Sequence, residues 1–291
     1  MQDGFYTALG TPLDEHGKLL SRSLTKQIED QIAAHVSGLL VMGSMGIQPC
    51  IRDAEYPKVV ATAVDAVKGA CPIMVGVMDN SIGKVMERIR AISGMAIDGV
   101  VATTPFYYLT SQDDVVNFFE CLARNSPYPV YMYDLPVITK VKIEQATAER
   151  LAAHRNIAGI KTGNMTTAKA LLNRRDPKTA FDIFYSDLGL HDVAFAYGLK
   201  MGLDGMYSVA APLGADIYRN LKEGNMHGAS ATLDKILNLR NTMIKAGLWH
   251  AYSFALNLLG YEGRHYPDYC APSDPGDLEK VRELMIEYAL I

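Results

Sequence analysis

Short runs of consecutive apolar residues recur along this chain, and between them lie longer stretches in which apolar positions return every three or four residues. The runs are Phe5 to Leu9, Gly38 to Met42, Ile73 to Val77, Gly99 to Ala102, Val130 to Tyr133, Ala158 to Lys161, Ile183 to Tyr185 and Met206 to Val209. Short, mostly apolar runs separated by amphipathic stretches predict repeated βα units rather than an all-helical or all-β protein. The stretches between them, such as Ser23 to His35, Asp53 to Val67, Gln112 to Arg124 and Lys142 to His154, predict helices. Most open near a Ser, Thr or Asp able to cap free N–H groups. Eight strands each followed by a helix predict an α/β fold, a closed (β/α)8 TIM barrel, with an open doubly wound sheet as the alternative.

Beyond the eighth run the periodicity becomes purely helical. Met226, Ala229, Leu233, Ile236, Leu237, Met243 and Ile244 form a three-four stripe, and a further helix is expected from about Asp277 to Tyr288. The expected organisation is a catalytic barrel over residues 1–222 and a C-terminal helical appendage over 223–291. The chain of 291 residues, 49% hydrophobic, exceeds the usual prior of about 100 to 200 residues per domain, but single barrels are the known exception. A net charge of -4 without charge blocks argues against nucleic-acid or membrane partners. Four dispersed cysteines, no signal-peptide pattern and no apolar run long enough to span a bilayer predict reduced thiols and a cytoplasmic location.

Reacting groups of such barrels sit at the carboxyl ends of strands, so polar residues closing apolar runs are candidates. Lys161 closes Ile157-Ala158-Gly159-Ile160. An amine attacks a carbonyl only when deprotonated, and a partly dry barrel mouth penalises the ammonium form. On pattern alone, however, a lysine snorkelling at a strand end is the first reading. Tyr133 closes Pro129-Val130-Tyr131-Met132 and carries a phenol that both gives and accepts a proton, although tyrosine is also an ordinary strand residue. Gly43-Ser44-Met45-Gly46, after the second run, offers small residues whose N–H groups converge into a carboxylate-binding nest, or a plain turn. The segment from Gly76 to Lys84 has neither the spacing nor the Ser/Thr of a phosphate loop, and the seven histidines show no ligand spacing. No metal and no cofactor are therefore expected.

Taken together, Thr7-Ala8-Leu9-Gly10-Thr11-Pro12, Gly43-Ser44-Met45-Gly46, Thr104-Pro105-Phe106-Tyr107-Tyr108, Tyr133-Asp134-Leu135-Pro136, Gly159-Ile160-Lys161 and Gly205-Met206-Tyr207-Ser208-Val209 resemble, in order and spacing, the dihydrodipicolinate synthase and N-acetylneuraminate lyase superfamily of class I aldolases. The resemblance runs from about Gly4 to the C-terminus. It implies a homotetramer in which Lys161 forms an imine with pyruvate, Tyr133 acts as acid and base, and Tyr107 reaches across a subunit contact into the proton relay. It further implies that Gly43, Ser44 and Met45 hold the 2-oxo acid carboxylate, that the backbone of Tyr207 lines the site, and that Asp192, or with a gap Asp187, contacts sugar hydroxyls. The chain departs from the family's pattern at Met45, Ile47, Asp134 and Ile138, the last standing where the synthase branch carries an arginine. The expected activity is thus a lyase acting on a 2-oxo-3-deoxy sugar acid, with Asp134, Thr139 and Asp192 meeting neutral hydroxyls and Lys140 as the nearest spare cation. The alternatives are a synthase-type condensation of pyruvate with an aldehyde, a dehydratase, and a non-catalytic sugar-acid binder.

Overall fold

The structure, a computed structural model, describes residues 1–174 and 181–291. Eight parallel strands close into a barrel in sequence order: β1 (Gly4–Ala8), β2 (Gly38–Val41), β3 (Ile73–Gly76), β4 (Gly99–Thr103), β5 (Val130–Asp134), β6 (Ile157–Thr162), β7 (Asp182–Tyr185) and β8 (Met201–Asp204). The helices between them are α1 (Ser21–Ala33), α2 (Tyr56–Val67), α3 (Ile82–Ala91), α4 (Gln112–Asn125), the short α5 (Pro136–Thr139) and α6 (Gln145–Leu151), then α7 (Met165–Arg174) and α8 (His191–Tyr197). After β8 come α9 (Ala211–Lys222), α10 (Met226–Lys245), α11 (Leu248–Leu258) and α12 (Pro275–Glu287), the last three forming the helical extension.

The two faces of each strand have different jobs. Outward residues join the stripes of the surrounding helices, such as Leu24 and Ile28 of α1 or Val59, Val60 and Ala63 of α2, in one continuous core. Burying a side chain of this size stabilises the fold by about 1.5–3 kcal/mol. Inward residues fill the lumen: Tyr6, Leu40, Met74, Val101, Tyr131, Phe184, Met201 and Leu203 pack in a separate cluster, with the Tyr6 and Phe184 rings edge to face at 4.9 Å. Tyr131 fits there because its neighbours on both sides are glycines; a Cβ at Gly99 or Gly159 would overlap its ring. The floor is therefore a packed plug, and only the carboxyl end is left to hold a ligand.

Two elements differ most from expectation. The run Met206 to Val209 is not the eighth strand but a 3-10 turn over Met206–Ser208. The strand lies upstream at Met201–Asp204, where Gly4, Phe5, Tyr6 and Thr7 pair with Met201, Gly202, Leu203 and Asp204 to close the barrel. Gly202 and Asp204 interrupt its apolar character. The glycine is required, since a Cβ there would overlap the Tyr218 hydroxyl and crowd the His191 ring. The helix expected from Lys142 to His154 is also shorter, Gln145–Leu151, because the Ile143 N–H is taken by Asp134 at 3.0 Å and Glu144 is extended.

Candidate active site

Strand register brings the chemistry together. Thr103 of β4 pairs with Tyr133 of β5, and Tyr133 pairs with Lys161 of β6, so the three occupy one level of the barrel near its carboxyl end. Lys161 is 7% exposed, and its Nζ lies over the Tyr133 ring, 3.9 Å from the centroid. The ring face holds the cation in place without consuming any of its N–H donors. Both residues line a cavity of about 280 Å3 that also touches Ala8, Leu40, Ser44, Met45, Leu135, Ile138 and Ser186.

The loop after β2 forms one wall. It is bracketed by Met42 and Ile47, both in the left-handed region with φ of 53° and 46°, an unfavourable conformation for residues with a Cβ and especially for a β-branched one. The Thr11 hydroxyl fixes the turn from below, donating to the Gly46 carbonyl at 2.7 Å. Ile47 N–H donates back to Ser44 and Gln48 N–H to Gly43, while the N–H groups of Ser44, Met45 and Gly46 have no acceptor among the described residues. Open donors on a rigid turn at the cavity wall are what a carboxylate needs. Met45 points its side chain across to β8, and a Cβ at Gly205 would overlap Met45 Cγ.

Other expected site residues fall elsewhere. Tyr207 is fully buried outside the cavity: its hydroxyl is 2.6 Å from His191 Nδ1 and its carbonyl accepts from Gln31. Gly205 and Met206, rather than Tyr207, present the β8 end to the cavity. Asp192 accepts from Ser230 of α10 and from Val193 N–H, and it does not line the cavity. Asp187 is spent on Gly189 N–H at 3.1 Å. Asp134 accepts from Thr162 at 2.8 Å and from Ile143 N–H, tying β5 to β6 and the next loop, and burial raises its carboxyl above the usual range. The Thr139 hydroxyl bonds to the Val141 and Leu135 carbonyls, and Lys140 folds onto the Val137 carbonyl at the surface. Tyr107 is 76% exposed on a protruding loop with Tyr108 and Leu109, anchored by Asn80, whose side-chain oxygen accepts from Phe106 and Tyr107 N–H. Within one chain it does not reach Lys161.

Four further residues complete the site. Asp204, closing β8, faces the same cavity as Lys161; burial raises its carboxyl above the usual range, while Met206 N–H and the Lys161 and Arg240 charges pull it back. Arg240 and Ile244 of α10 and Trp249 of α11 form the roof. Gly247, at φ 87°, makes the sharp turn that lets α11 start over the barrel mouth. Asp204 ends β8, a strand whose apolar character is broken, whereas the sequence pattern points to the run at Met206. Arg240 had a visible signal: it stands one turn after Ile236 and before Ile244, on the face expected to be apolar.

Among the described residues no cluster of three or more His, Cys, Asp or Glu is placed to hold a metal, and no helix is long and apolar enough to cross a membrane.

A closed (β/α)8 barrel whose mouth sets a lysine against a tyrosine under a helical roof defines an enzyme of aldolase type. The model of the Dihydrodipicolinate synthetase family matches residues 1–285, and the chain belongs to that family. Among curated relatives, 4-hydroxy-tetrahydrodipicolinate synthase of Gluconobacter oxydans is 29% identical over 264 residues, 89% of this chain and 88% of that one. The enzyme of the same name from Lactococcus lactis is 30% identical over 88% of this chain and 86% of its own. Solved structures share the fold: dihydrodipicolinate synthase of Thermotoga maritima superposes with a TM-score of 0.91 at 21% identity over 100% of both chains. A prophage protein of the dihydrodipicolinic acid synthase family from E. coli K12, solved in complex with pyruvate, gives 0.90 at 19% identity, also over 100% of both.

Proposed function

We propose that this protein is a pyruvate-dependent aldolase of the condensing kind, in which Lys161 activates pyruvate as an enamine that adds to an aldehyde. The observation that carries the reading is the stacked pair: a buried lysine with uncommitted N–H donors, 3.9 Å from the ring centroid of a tyrosine on the adjacent strand. Pyruvate's carboxylate is received by the open N–H groups of Ser44, Met45 and Gly46 and by the Ser44 hydroxyl. Deprotonated Lys161 Nζ attacks the keto carbon and water leaves, giving an iminium. The methyl carbon then gives a proton to water, leaving the enamine, whose carbon attacks the aldehyde. Tyr133 serves as the proton shuttle, giving its phenol proton to the new alkoxide and recovering one as water hydrolyses the imine.

Condensation replaces sugar-acid cleavage as the leading reading for two reasons. The curated relatives named above are synthases. The hydroxyl partners expected for a sugar chain are also already occupied, Asp134 by Thr162 and Ile143, Asp192 by Ser230, and Thr139 by its own loop. Cleavage of a 2-oxo-3-deoxy sugar acid is the second reading, favoured by Ile138, which lines the cavity and provides no charge. Parallel assays separate the two: pyruvate consumption with a panel of aldehydes, and pyruvate release from 2-oxo-3-deoxy sugar acids. Condensation without cleavage is expected, and efficient cleavage without condensation overturns the assignment.

The exposed Tyr107 loop is read as a contact with a second copy of the chain, in keeping with a homotetramer. Tyr107 then completes the neighbour's relay. A monomer that is fully active in dilute solution would contradict this.

A further inference from the structure

The roof of the cavity carries a cation that the reaction described above does not use. Arg240 lines the Lys161 cavity, its Nε is buried without a hydrogen-bond partner, and its one side-chain bond is a long 3.5 Å contact from Nη2 to Asn241. No carboxylate lies within 4.0 Å of it among the described residues. Leaving the buried Nε–H unsatisfied is unfavourable, and the planar guanidinium fork matches a carboxylate with two parallel bonds.

The charges in the cavity indicate which carboxylate. The pyruvate carboxylate is assigned to the N–H groups on the β2 wall, and Lys161 becomes the imine. Asp204, the cavity's own anion, is held by Met206 N–H at 2.8 Å. Arg240, whose charge also acts on Asp204 but from beyond 4.0 Å, is the cation with open donors for the second substrate, and it approaches from α10, on the roof, rather than from the β2 side. Ile138, Leu135 and Trp249, which also line the cavity, offer no competing charge.

We infer that Arg240 is the specificity-determining residue for the aldehyde, pairing with a carboxylate or similar oxyanion carried on its far end. This selects short anionic aldehydes over neutral ones of the same size. The inference rests on the pyruvate-imine reading, and its test keeps the two apart.

Borohydride trapping of pyruvate on the wild-type protein is read first; absence of a Lys161 adduct overturns the imine reading and this inference with it. Then kcat/KM is measured with pyruvate and either 4-oxobutanoate or butanal, which differ in the terminal carboxylate. The wild type should prefer 4-oxobutanoate by about 10²-fold, the scale expected when a desolvated charge loses its partner. Arg240→Gln should bring the ratio close to one, mainly through the KM for 4-oxobutanoate. Arg240→Lys, which keeps the charge without the fork, should retain part of the preference, so a variant that merely misfolds is recognised. Equal kcat/KM for the two aldehydes, turnover of neither, or a preference that survives Arg240→Gln refutes the role of Arg240 while leaving a trapped pyruvate adduct intact.

Discussion

The mouth of this barrel has two halves built on different principles. On the strand side, Thr103, Tyr133 and Lys161 are placed by hydrogen-bonded register, on adjacent strands whose outer faces are locked into the core. On the roof side, Arg240, Ile244 and Trp249 come from helices that follow the last strand and reach the cavity through the turn at Gly247. A residue in the first half cannot shift without disturbing a strand pair, so it suits the invariant part of a reaction, forming an imine and moving a proton. A residue in the second half is fixed by helix packing alone and exchanges at lower cost. Under the proposed function the two halves have separable tasks: the strands and the β2 loop hold pyruvate, and the roof chooses the aldehyde that it meets.

The separation breaks if changes on the two sides have similar consequences. Tyr133→Phe, which keeps the ring under Lys161 but removes the phenol, should lower kcat by roughly 10²-fold or more while a pyruvate adduct still forms. Steady-state kinetics beside reductive trapping measures both, and unchanged turnover would make Tyr133 a packing residue.

An acid titration probes the scaffold beneath that half. His191 is fully buried between β7 and β8, with Nε2 3.1 Å from the Tyr185 carbonyl and Nδ1 beside the Tyr207 hydroxyl, and burial pushes it down to about 4. With Nε2–H donating, Nδ1 accepts from Tyr207, which fits the neutral ring. His265 is pushed down to about 4 by the same cause. Both bind a proton more readily when unfolded, so the stability they contribute is present above about pH 6.5 and is lost as the pH falls towards 4, by roughly 3 kcal/mol per histidine at most. Asp134 and Asp204, raised by burial, oppose this at the acid end. Urea midpoints should drop between pH 7.5 and 4.5, with a shallower slope in His191→Gln; a flat profile contradicts the buried neutral ring.

The smallest effect is expected from the loop wall. Met45→Thr withdraws a side chain that packs against Gly205, enlarging the cavity. The KM for the aldehyde should change by up to about tenfold, with kcat altered far less. A collapse of kcat would move Met45 into the chemical half.

What the sequence revealed follows the same division. Lys161 and Tyr133 each close an apolar run, which alone favours snorkelling or packing; the family resemblance singles them out, and regular strand pairing sets them side by side. The barrel itself was readable from the alternation of runs and stripes. Asp204 was hidden because β8 is broken by Gly202 and by Asp204 itself, while the smoother run at Met206 drew attention away. In sequence Asp192, Asp134 and Thr139 are polar residues open to a substrate; their partners Ser230, Thr162 and Val141 are disclosed only in three dimensions. Arg240 lies far from the strand ends in sequence, and no local pattern says that α10 folds back over the mouth.

The central claim is that Lys161 is the amine that captures pyruvate. Incubation with pyruvate and borohydride, followed by intact mass and peptide mapping, tests it directly. One reduced pyruvate adduct per chain, located at Lys161 and absent from Lys161→Ala, is the expected result; no adduct, or label scattered over surface lysines, would contradict it.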